Sequence, residues 1–248
     1  MNAPASERRE KNANTEMKSV IRTEQLARTV TDADGQALHI LQGIDCQIYA
    51  GESVAILGSS GAGKSTLLGL LAGLDQSTDG EIWLNDQPLS GLNEEGRARM
   101  RQQVGFVFQS FQLLEHLTAL ENVMLPLELA GEKNYQAIAQ KWLERVGLGQ
   151  RIKHYPRQLS GGEQQRVAIA RAFAGDPLVL FADEPTGNLD SVTGQSIIDL
   201  LFTLNKENQT TLILVTHDAN LARHCQRRLT LQDGLLHEEQ AVAVTGEA

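Results

Sequence analysis

Gly58-Ser59-Ser60-Gly61-Ala62-Gly63-Lys64-Ser65 fits the pattern G-x-x-x-x-G-K-[ST], and it begins where the apolar run VAIL at 54–57 stops. Few folds accept such a stretch. Glycines at these spacings let successive backbone N–H groups turn toward one anion. The loop then needs a strand to launch it and a helix whose positive end completes the cradle. Both are present, the helix from Lys64 onward. Gly58, Ser59, Ser60, Gly61, Ala62, Gly63, Lys64, Ser65 and Thr66 are therefore the expected nucleotide-binding segment, a P-loop. Lys64 is expected to reach the β- and γ-phosphate oxygens and the Ser65 hydroxyl to hold Mg²⁺.

Two more apolar runs show no alternation, LVLF at 178–181 and LILV at 212–215. Such runs suit parallel strands covered by helices on both faces. Further strands are expected at 20–26, 38–49, 80–85 and 104–108, with helices from Ser191 and Asp218. Residues 118–174 read as helical. Thr118 and Glu121 form a capping box, and 135–147 has helical spacing ended by Gly147. The expected fold is α/β: a P-loop NTPase with a parallel-sheet core, a helical insertion over about 109–174 and a β-rich N-terminal edge. Strand ends then supply the chemistry. Asp183 is placed to bind Mg²⁺ through water, Glu184 to act as general base, and His217 to sense the γ-phosphate.

The remaining composition narrows the partners. With 22 basic and 31 acidic residues the net charge is −9, which argues against nucleic acid. No window approaches the apolar length of a membrane span, and the start has no apolar signal core. Cys46 and Cys225 form no metal or redox motif and read as free thiols of a protein that stays in the cytoplasm. Residues 1–18 and 238–248 are expected to be flexible tails on one domain spanning 19–237.

A second stretch, QLSGGEQQRVAIARA at 158–172, also prepares a helix N-terminus. Ser160, Gly161, Gly162 and Glu163 suit an anion site, and Ser160 with Glu163 equally suits a capping box on a buried helix. LSGGEQQ after a P-loop, followed by FADEPTGNLD and VTHD, resembles the nucleotide-binding subunit of ABC transporters over nearly all of 19–237.

That resemblance implies a RecA-like core and a homodimer packed head to tail. ATP then lies between the P-loop of one subunit and Ser160, Gly161, Gly162 and Glu163 of the other. It makes Gln109 a contact of Mg²⁺ or the attacking water, and Asp190 a dimer-interface residue. It implies an ATP-hydrolysing subunit with ATP and Mg²⁺ as cofactors, bound to an integral membrane permease at the cytoplasmic face of the inner membrane. GFVFQSFQLLEHLTALENVMLPL narrows the likeness to the LolD, MacB and YbbA group, YbbA-type subunits above all, whose permeases serve lipoprotein release or macrolide efflux. The alternative it leaves is a non-transport ABC ATPase that regulates an envelope-remodelling or division complex. Val30 stands where the family has an adenine-stacking ring, so weaker base discrimination is expected. Phe111, Leu113, Leu114 and Leu117 read equally as permease contacts or as core of the insertion.

Overall fold

The three unalternating apolar runs become the middle of one sheet. The structure, a computed structural model, describes residues 18–31 and 34–239. Along the chain the elements are β1 (Ser19–Thr31), β2 (Ala37–Tyr49), β3 (Ser53–Leu57), α1 (Lys64–Leu71), β4 (Asp79–Leu84), β5 (Gln87–Pro88) and α2 (Glu94–Arg101). Then come β6 (Val104–Phe108), α3 (Ala119–Leu129), α4 (Tyr135–Arg145), α5 (Gly161–Ala174), β7 (Val179–Asp183) and α6 (Ser191–Asn208). β8 (Thr211–Val215), α7 (Ala219–Ala222), β9 (Arg227–Gln232) and β10 (Leu235–Glu238) complete the order.

One sheet has the order β10-β9-β3-β8-β7-β6 and is parallel except for the β9–β10 hairpin. A second, antiparallel sheet has the order β2-β1-β4-β5. The parallel strands are apolar throughout because each is covered twice. Leu180 and Ala182 of β7 face the core shared with α3, α4, α5 and α6, while Val179 and Phe181 face the core shared with α1 and the antiparallel sheet. Phe181 is fully buried, which contributes about 2–3 kcal/mol. Helix α1 lies in that second core with Leu67, Leu68, Leu70 and Leu71 all buried, so its N-terminus opens at the seam between the sheets.

Thr118 and Glu121 form the capping box of α3, and Trp142 of α4 stacks on Phe173 of α5 with centroids 5.6 Å apart. Four elements were not anticipated: α2, β5, β9 and β10. β10 extends to Glu238, and the Glu239 N–H donates to the Arg228 carbonyl at 2.9 Å. Ion pairs of Arg227 with Glu238 and Arg228 with Glu239 hold both residues on the sheet, so they are not part of a flexible tail. Lys18 is likewise tied in, its carbonyl accepting from the Ala50 N–H at 2.9 Å. The remainder of the two expected tails lies outside the described residues.

Candidate active site

The loop between β3 and α1 is shaped by close packing on both sides. Gly63 caps α1 in a left-handed conformation (φ +96°), and a Cβ there would stand 2.9 Å from Ile40 Cγ2. A Cβ on Gly58 would meet the Leu231 carbonyl oxygen at 2.6 Å. Glycine is required at both points, by backbone shape at one and by proximity at both. Lys64 Nζ donates to the carbonyls of Gly58 and Ser59 at 3.0 and 2.9 Å, which holds a positive charge over the loop.

The strand ends meet this loop. Ser65 Oγ donates to Asp183 Oδ2 at 3.1 Å, across 118 residues of sequence. Burial pushes the Asp183 carboxyl above its ordinary value, opposed by the Ser65 hydrogen bond and by Lys64. A carboxylate so desolvated gains from a cation beside it. Among the described residues no three His, Cys, Asp or Glu cluster as a metal cage. Ser65 and Asp183 together fit Mg²⁺, which takes one or two protein oxygens and fills its octahedron with phosphate and water.

Glu184 adopts φ +45° directly after β7, and its N–H donates to the Val215 carbonyl at 2.9 Å. Its Oε2 accepts from Thr216 Oγ1 at 3.1 Å. Its Oε1 accepts from the His217 N–H at 2.9 Å and lies 2.6 Å from His217 Nδ1. A carboxylate oxygen at that distance is paired by an Nδ1–H donor. Of the four lone-pair positions of Glu184, one on Oε2 stays open to a further donor. Gln109 is fixed from the other side: its Nε2 donates to Asn188 Oδ1 at 3.2 Å, and Asn188 Nδ2 donates back to its carbonyl at 3.0 Å.

Together these residues line one groove of ≈ 1430 Å³, which holds the whole segment 58–66 with Gln109, Asp183, Glu184 and His217. A separate cavity of ≈ 180 Å³, lined by Asp75, Gln76, Glu81 and Arg97 among others, contains none of them. Several lining residues were not anticipated. The end of β9 and the β9–β10 turn supply Thr230 to Gly234, and β2 supplies Leu38, His39, Ile40 and Gln42. Val30 does not line the groove, but its ladder partner Leu38 does and is 56 % exposed.

Ser160, Gly161, Gly162 and Glu163 line no part of this groove. Ser160 caps α5 in a reciprocal box, its Oγ accepting from the Glu163 N–H at 3.3 Å while its own N–H donates to Glu163 Oε2 at 2.8 Å. The Ser160 N–H, with Arg151 adding, holds the Glu163 carboxyl below its ordinary value. Asp190 caps α6, and hydrogen bonds from Thr193 and Val192 depress its pKa in the same way. A Cβ on Gly162 would stand 2.5 Å from Thr193 Cγ2, so α5 and α6 meet here with no space to spare. Gly162→Val is expected to push the first turn of α5 off α6 at about 1–3 kcal/mol, read as a melting temperature lower by several degrees. An unchanged melting temperature would mean that this contact yields freely.

The possible permease contacts divide. Leu113 packs against the helical core and Leu114 is exposed, while Phe111 and Leu117 are half-buried. Buried Asn122 fixes this turn through both ends of its amide, bonded to Leu114, Leu117 and Thr118. Arg171 donates to the carbonyls of Phe111 and Gln112, at 3.0 and 2.7 Å, where both residues have positive φ.

The ABC transporter family profile matches residues 41–187, more than half of the chain. The chain belongs to the ABC transporter family. This ABC ATPase is 54% identical over 224 residues to the ABC transporter ATP-binding protein YbbA of Escherichia coli (strain K12), covering 89% of this chain and 98% of that one. It is 47% identical over 229 residues to the lipoprotein-releasing system ATP-binding protein LolD of Xanthomonas axonopodis pv. citri (strain 306), covering 91% and 93%. Among solved structures it is similar to the cassette MJ0796, seen as a dimer in a post-hydrolysis state with ADP and Pi. The TM-score there is 0.81 and the identity 39%, with 89% of this chain and 98% of that chain covered. The enzyme is thus an ATP-binding, ATP-hydrolysing cassette subunit of a transporter, with the ABC fold. No helix among the described residues is long and apolar enough to cross a membrane.

Proposed function

We propose that two copies of this ATPase close head to tail on two Mg·ATP and so drive a membrane permease of the lipoprotein-release or macrolide-efflux type. One observation carries the reading: the groove holds the P-loop and Glu184 but none of Ser160, Gly161, Gly162 and Glu163. A second copy brings those residues to the open side, where the N-terminus of α5 faces the terminal phosphate. The dimeric MJ0796 cassette and the name of the LolD relatives support the assembly and the type of permease.

The chain's own groups divide the work. Backbone N–H groups of 58–63 and Lys64 hold the phosphates, and Gln109 positions the water. Glu184 takes a proton from that water on its free Oε2 position as the oxygen bonds to the terminal phosphorus. The bond to the β-phosphate oxygen then breaks, and ADP and phosphate leave. Thr216 and His217 keep the Glu184 carboxylate aimed throughout. Ser65 and Asp183 would hold Mg²⁺, which would neutralise phosphate charge.

The experiment is purification of the tagged protein from gently solubilised native membranes, with mass spectrometry of what accompanies it. A permease with few membrane helices and a large extracytoplasmic domain is the expected companion. A division or envelope-remodelling complex, or no membrane companion, would replace this reading.

A further inference from the structure

Gln165 lies in the second turn of α5 and is wholly buried, 0 % exposed. Its Nε2 donates to the Pro185 carbonyl at 2.6 Å and to the Phe108 carbonyl at 3.4 Å. Pro185 follows Glu184 in the chain, and Phe108 precedes Gln109. One side chain thus bridges the two backbone segments that carry the hydrolytic groups. Its Oε1 is buried without a hydrogen-bond partner among the described residues. Two carbonyls on one side fix the amide: rotated, Oε1 would face two acceptors. A buried acceptor left unpaired is unfavourable, and an apolar side chain would avoid it. The structural gain from an amide here is the bridge.

The bridged segments need holding. Glu184 has φ +45°, and Phe111 and Gln112, just past Gln109, have φ +60° and +47°. These are left-handed conformations that non-glycine residues adopt under restraint. Arg171 of the same helix restrains the second pair through their carbonyls. α5 therefore grips both segments from behind while its first turn carries Ser160, Gly161 and Gly162.

We propose that Gln165 is a positioning residue for hydrolysis. It sets the spacing of Glu184 and Gln109 and carries displacement of the first turn of α5 to both. The proposal rests on the reading that those two residues act on the water.

The test uses the full chain in its membrane complex. Gln165→Met keeps the volume and removes the donor. It is expected to lower kcat about tenfold to a hundredfold, as a misplacement near 1 Å does, with KM for ATP little changed and the melting temperature held. In a Gln109→Ala background the same substitution should cost much less, because both act through one geometry. Undiminished kcat in folded Gln165→Met, or additive losses in the double variant, overturns the proposal. If the Met variant does not fold, Gln165→Glu is read by the same kcat-against-KM split. Failure of both to fold assigns Gln165 to the core alone and also overturns it. Glu184→Gln is measured alongside. If it still turns over, the reading of the site has failed. If it stops while Gln165→Met does not, only this proposal has.

Discussion

Glu184→Gln holds ATP and the closed dimer together while turnover falls about 10²–10⁴-fold, the range for loss of a general base. Glutamine matches glutamate in size: its amide oxygen at the Oε1 position still accepts from both His217 donors, and its NH2 at the Oε2 position donates to the Thr216 hydroxyl. Glu184 ends no helix and fills no core gap. Its backbone N–H bond to Val215 is independent of the side chain, so the fold is kept. What is lost is the open lone pair on Oε2 and its capacity to accept a proton. Size-exclusion chromatography with ATP and Mg²⁺ should show a dimer that persists in the variant and disperses in the wild type as ATP is spent. Wild-type turnover in the variant would remove Glu184 from the role.

Lys64→Ala fails one step earlier. The ammonium of Lys64 is held over the loop by two carbonyl contacts, with its third N–H unassigned to either. Removing it takes away the one side-chain charge aimed at the phosphates from the P-loop and leaves only backbone dipoles. A loss of at least about a hundredfold in kcat/KM is expected, as for removal of a positioned electrostatic donor. The nucleotide-dependent dimer should disappear as well, which separates this variant from Glu184→Gln. Lys64→Arg should not rescue it, because a planar guanidinium cannot occupy the pocket of a compact ammonium. A Lys64→Ala enzyme that still closes on ATP would show that the loop's N–H groups suffice.

The legible parts of the molecule were those where one residue pattern answers to one environment. The runs at 54–57, 178–181 and 212–215 are apolar on both faces because both faces are buried, and they marked the sheet and its active edge. β9 gave no such signal. Only Leu229 and Leu231 are buried in it, set between Arg227, Arg228 and Thr230, a pattern shared with many solvated turns. α2 buries Met100 alone and had no apolar period to read. At the site, Lys64, Asp183, Glu184 and His217 announced themselves by position after strands. Gln165 and Arg171 did not, since each acts through backbone carbonyls of residues some 20 to 60 positions away, and no side-chain pattern records that. Leu38 and His39 became groove residues only because the antiparallel sheet folds over α1.

The place of β3 has a consequence for how the protein is made. β3 pairs on one side with β8 and on the other with β9, and among the described residues with no other strand. A nascent chain that stops short of residue 211 therefore offers the P-loop strand no partner on either flank. The Leu231 carbonyl that crowds Gly58 is in place only once Leu231 has left the ribosome. Synthesis proceeds from the N-terminus, so an apolar strand and its glycine loop wait through most of translation for the segments that order them. Nucleotide capture in this sense waits on β8 and β9, which are translated long after the loop that does the binding.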